Sequence, residues 1–143
     1  MGDQREPVED DETLYRCVPA RPDYYDPAQQ PSLAPQAFRP VRSDVTGLSL
    51  CRAKFVTPAQ AAAALRDPSY FVAVVRAGDL RKHGIEVVPA PLESGPPGHT
   101  EIPALRYETR RCDLQEGWQR LLAQVLCREV LGPFPRRGAR EGA

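Results

Sequence analysis

The chain has 143 residues, 19 Lys plus Arg against 19 Asp plus Glu, and 41% hydrophobic with 27% charged residues. One domain of that length buries about two-thirds of its unfolded surface, and the balance excludes a wholly disordered chain. Zero net charge without an aromatic-basic module argues against nucleic-acid binding, and no run approaches the ~18 apolar residues of a membrane-spanning helix. The acidic start is unlike a signal peptide, so a cytoplasmic protein is expected.

Residues 1–12 carry Asp3, Glu6, Glu9, Asp10, Asp11 and Glu12 against Arg5 and read as a flexible acidic tail. Residues 134–143, with Arg136, Arg137 and Arg140, read as a flexible basic one, which leaves a single domain over 13–133. Cys17, Cys51, Cys112 and Cys127 show no C-x-x-C spacing and no helical pairing with His83 or His99. No metal site is expected, and the thiols read as small, partly buried apolar groups.

Within the domain, Thr13-Leu14-Tyr15-Arg16-Cys17-Val18 is rich in residues that favour strands and stops at Pro19. Arg16 shares a face with Leu14 and Val18, so it is either buried with a partner or lines a cleft. A long Pro-rich loop follows, in which Arg21, Tyr24, Tyr25, Phe38 and Arg39 combine the aromatic and arginine character of interface hot spots. Gly47-Leu48-Ser49-Leu50-Cys51-Arg52 alternates as a second strand, with Leu48 and Leu50 on one face. Thr57-Pro58-Ala59-Gln60 is a capping box with proline at the first helical position, and it predicts a helix over 58–66.

Tyr70-Phe71-Val72-Ala73-Val74-Val75 is apolar without alternation, as expected of a strand covered on both faces and central in the sheet. A helical turn over 78–83 should end at Gly84, leaving His83 solvated, and Ile85-Glu86-Val87-Val88 should form a further strand. After a loop rich in proline and glycine, His99-Thr100-Glu101-Ile102 alternates again, which puts His99 and Glu101 on one face. Asp113 and Glu116 suggest a second capping box for a helix over 114–131. Its inward stripe would comprise Leu114, Trp118, Leu121, Leu122 and Val125, and Gly132-Pro133 would stop it. The expected fold is α+β: a small mixed or antiparallel sheet of about five strands, one short helix and a longer C-terminal helix.

The order of these elements, with Arg16 on the first strand, Ser49 on the second and Glu101 late, resembles the split-sheet core of ADP-ribosyltransferases. The resemblance implies Arg16 and Ser49 as contacts to NAD and Glu101 as the catalytic carboxylate that stabilises an oxocarbenium-like transition state. The chain departs from the family in having His99 where an E-x-E motif has its first carboxylate, and no Ser-Thr-Ser follows the second strand. Such chemistry requires Arg16, Ser49 and Glu101 to converge on one cleft. A second enzymatic reading uses His99 as general base beside Glu101, with Ser49 or Tyr24 and Tyr25 supplying a hydroxyl. The non-enzymatic reading is a protein-interaction or accessory module that presents Tyr24, Tyr25, Phe38 and Arg39 to a partner protein.

Overall fold

The computed structural model describes residues 3–28, 33–63, 65–107 and 113–136. Cys112, Arg137 and Arg140 lie outside the described residues, as do the side chains of the expected cap Asp113 and of Leu114. The elements in chain order are β1 (Thr13–Pro19), a 3-10 turn (Pro35–Phe38), β2 (Leu48–Arg52), α1 (Pro58–Ala63), β3 (Ser69–Arg76) and α2 (Ala77–Lys82). They continue with β4 (Val88–Pro89), β5 (His99–Ile102), α3 (Asp113–Leu121), a π-helical segment (Leu122–Leu126) and β6 (Glu129–Pro135). Six strands form one sheet in the order β4-β5-β2-β1-β3-β6, every neighbouring pair antiparallel. The architecture is α+β with six strands where about five were expected. No described helix is long and apolar enough to cross a membrane.

Cross-strand partners share a face, so the register sorts the side chains. Leu14 pairs with Arg52 and Val75, Arg16 with Ala73, and Val18 with Phe71. This face carries the main core, in which Leu14, Val18, Leu48, Leu50, Ala73, Val75 and Ile102 meet Leu122, Ala123 and Leu126. The opposite face carries Tyr15, Cys17, Ser49, Cys51, His99 and Glu101, all half-buried, and at one end Tyr70, Val72 and Val74, which are buried. There α1 packs against β1, β3 and β6 with Ala61 and Ala62 inward. The predicted capping box starts this helix: the Gln60 amide N–H donates to Thr57 Oγ1 at 3.2 Å, and the Thr57 N–H donates to Gln60 Oε1 at 2.9 Å.

Three expectations are corrected. The predicted helix over 114–131 ends early, because the chain winds into the π form and the Cys127 N–H donates to the Leu122 carbonyl five residues back at 2.9 Å. That extra residue in the turn rotates the stripe: Leu122, Ala123 and Leu126 are buried, whereas Val125 is 66% exposed. Val125→Lys is therefore expected to change unfolding free energy by less than about 0.5 kcal/mol in a urea titration, and a larger loss would mean that Val125 faces the core.

Gly132-Pro133 does not stop a helix but lies inside β6, where four residues from Leu131 to Phe134 oppose three from Tyr70 to Val72. Gly132 occupies this bulge at φ +104°, where a Cβ would meet the Tyr70 carbonyl oxygen at 3.0 Å. Prolines are tolerated because β6 is an edge strand, and Pro133 and Pro135 leave it with fewer N–H groups to offer another chain. Finally, Ile85 and Val87 are buried as loop residues, and only Val88 and Pro89 pair, with Glu101 and Thr100.

Residues 3–12, expected as a flexible acidic tail, are packed on the domain: Val8 belongs to the core, and Glu12 is 8% exposed. Arg52, 0% exposed, holds them. Its guanidinium donates to both Glu12 carboxylate oxygens at 2.8 and 2.7 Å, and to the carbonyls of Gln4, Glu6 and Pro7. Residues 134–136, expected in a flexible basic tail, belong to the domain as well: Phe134 and Pro135 pair with Tyr70 and Ser69, and the Arg136 N–H donates to the Pro68 carbonyl at 3.0 Å.

Candidate functional site

Alternation along β2 and β5 brings three of the candidates, Ser49, His99 and Glu101, onto one face together with Cys51. Ser49 sits directly opposite Glu101, and Cys51 opposite His99. Arg16 lies on the other face, with Leu14 and Val18, and its donors are engaged: Nε gives to the Ala37 carbonyl at 3.1 Å, Nη1 to the Ser49 carbonyl at 3.1 Å and Nη2 to the Arg39 carbonyl at 3.4 Å. Burial pulls this guanidinium below its ordinary value, and the Asp44 carboxylate acts in the opposite direction. Arg16 thus clamps the 3-10 turn to β2. Ser49 and Glu101 are cross-strand partners, but the guanidinium of Arg16 is on the opposite face, so the three do not converge.

His99 Nδ1 lies 2.8 Å from the Ala90 carbonyl oxygen. A carbonyl can only accept, so Nδ1 donates this bond, and Nε2 is the ring nitrogen left for any other partner. Ser49 does not serve that nitrogen, because its Oγ donates to Asp44 Oδ1 at 3.0 Å. Tyr25 is on the core face, edge-on to Phe71 at 5.0 Å between ring centroids, and Tyr24 packs on the same core. Burial pushes the Cys17 thiol up to about 12 and the Cys51 thiol up to about 11, so both stay protonated at neutral pH. Among the described residues no group of three or more His, Cys, Asp or Glu side chains could hold a metal ion.

Ser49 and Glu101 instead support a loop. Asp44 is 2% exposed, and its Oδ2 accepts the Val41 N–H at 2.7 Å while its own N–H donates to the Val41 carbonyl at 2.8 Å. Ser49 takes the other carboxylate oxygen, and the Tyr107 N–H donates to the Asp44 carbonyl at 2.9 Å. Thr46 Oγ1 donates to the Glu101 carboxylate at 2.8 Å. Gly47 then enters β2 so close to β5 that a Cβ would meet the Ile102 carbonyl oxygen at 2.8 Å. Residues 41–46 are therefore fixed from three sides, and they hold Val41 and Val45 51% and 68% exposed in a segment where Arg39 and Arg42 are exposed too.

This loop was missed at the level of sequence. Its signal is Asp44 five residues before Ser49, with valines on both sides. Of the residues expected to bind a partner, Arg39 is exposed and Tyr24 and Tyr25 are half-buried. Phe38 is corrected: at 0% exposed it is part of the core. A separate opening of about 500 Å³ is lined by Asp10, Arg76, Asp79, Arg81, Lys82 and Arg128. Two of its arginines are paired, Arg81 with Asp10 at 2.7 Å and Arg128 with Asp79 at 2.9 Å.

Comparison of the chain with protein-family models, with curated proteins and with solved structures returned no match.

Proposed function

We propose that the protein is an interaction module whose contact surface centres on residues 39–46. The observation that carries this reading is the Asp44 anchor, which uses a buried carboxylate to fix a turn that exposes two valines. Single exposed apolar side chains are ordinary on a protein surface. Two on one preorganised turn lower the entropic cost of docking, because the loop need not be ordered by its partner. Arg39 is exposed at the start of this segment, and Tyr24 and Tyr25, half-buried against the core, are further candidates for the contact.

The test is quantitative affinity capture from the native cell extract with wild type and with Val41→Asp/Val45→Asp, whose fold is checked by thermal melting. The paired substitution should abolish recovery of the partner with the melting temperature kept. Unaltered recovery contradicts the reading.

The second reading, NAD-dependent ADP-ribosyl transfer, keeps Ser49 opposite Glu101 across β2 and β5 but lacks the convergence it requires, because Arg16 lies on the other face of the sheet with its donors spent on backbone carbonyls. It requires NAD hydrolysis that is lost in Glu101→Ala, and the absence of both binding and turnover would dismiss it.

A further inference from the structure

We infer that the surface at residues 39–46 takes an acidic segment of a partner protein, with carboxylates on Arg39 and Arg42 and an apolar side chain against Val41 and Val45. The inference rests on the interaction-module reading and names the chemistry of its partner. Charge complementarity carries it. Arg39 and Arg42 are exposed, and among the described residues neither guanidinium makes an ion pair or a hydrogen bond. In the charged opening at the other end of the sheet, Arg81 and Arg128 are instead neutralised by Asp10, Glu86 and Asp79.

Among the described residues, neither Asp44 nor Glu101 forms an ion pair with either arginine. Asp44 is buried, with its oxygens engaged by the Val41 N–H and the Ser49 hydroxyl, and Glu101 accepts from Thr46. Two exposed cations without an ion-pair partner among the described residues therefore share one short segment with two exposed valines. An arginine fork receives a carboxylate in bidentate geometry, which orients as well as attracts. The aliphatic centre favours peptide over nucleic acid, because it supplies no aromatic platform for a base, and two cations are few for a phosphate backbone.

The experiment is an array of labelled eight-residue peptides that vary independently in Asp/Glu content and in the number of Leu, Ile or Phe, with a mixed-sequence single-stranded oligonucleotide as comparator. Peptides that are both acidic and apolar should bind best, and Arg39→Glu/Arg42→Glu should weaken them by about tenfold or more while losing the salt dependence of binding. Several results would overturn the inference: no bound peptide, binding indifferent to acidic content, binding unchanged in the charge-reversed variant, or tighter binding of the oligonucleotide. Sedimentation showing a dimer displaced by the same peptides would assign the surface to a second copy and overturn it too. If the valine substitutions abolish partner capture while the array shows no acidic preference, the interaction reading survives and this inference alone fails.

Discussion

Arg52→Ala is expected to cost about 3–5 kcal/mol of unfolding free energy, the loss typical of removing one member of a buried ion pair. The substitution strands the Glu12 carboxylate, which is 8% exposed, and frees the carbonyls of Gln4, Glu6 and Pro7. Urea unfolding measures it, and a loss below about 1 kcal/mol would show that residues 3–12 are not held as described. A double variant, Arg52→Met/Glu12→Leu, should lose less than the sum of the single losses, since neither charge is then left alone.

The same pair sets an acid limit. Burial alone would raise the Glu12 carboxyl, but hydrogen bonds from Arg52 and the Glu9 N–H and the nearby charges of Arg52 and Lys54 outweigh it, so the group titrates below its ordinary 4.5. A carboxyl depressed in the folded state contributes stability that is full above the unfolded value. That contribution is lost as pH falls through the folded value. The difference between wild type and Arg52→Ala should therefore shrink as pH falls through the ordinary 4.5 and on through the depressed folded value.

Phe38→Ala is expected to cost about 3–5 kcal/mol, from lost burial and from the cavity that remains. The ring is fully enclosed beside Leu14 and Leu50 in the core cluster. A surface role would give a different result, namely loss of partner with stability changed by less than about 0.5 kcal/mol. The urea midpoint of this variant decides between the two.

Most strands were legible because local pattern and tertiary burial agree in them. Leu48 and Leu50, and Thr100 and Ile102, are buried on one side of their strands, as alternation requires. The Thr57–Gln60 box was legible because both of its hydrogen bonds are local. β6 was not, because its pairing with β3 is long-range and its two prolines imitate a terminator. The π turn at Leu122 was hidden for a similar reason: a stripe read at 3.6 residues per turn carries no mark of one extra residue.

Arg52 could have been found. It has the parity of Leu48 and Leu50, and a charge on a core face demands a partner, which the acid-rich start supplies in Glu12. Parity likewise separates Arg16 from Ser49 and Glu101 once β1 and β2 are paired through Tyr15 and Cys51. The sequence alone states neither that pairing nor its register. Asp44 is a harder case, since an acid in a loop ordinarily reads as solvent-facing, and only the positions of Val41, Ser49 and Tyr107 reveal its burial.

The central claim is that residues 41–46 form a preorganised contact surface. Amide hydrogen exchange of the protein, free and saturated with the tightest acidic peptide of the array, tests it directly. The Asp44 and Val41 amides should already be protected in the free protein, and binding should add protection confined to residues 39–46. Fast exchange of those two amides in the free protein, or new protection elsewhere with 39–46 unchanged, would contradict it.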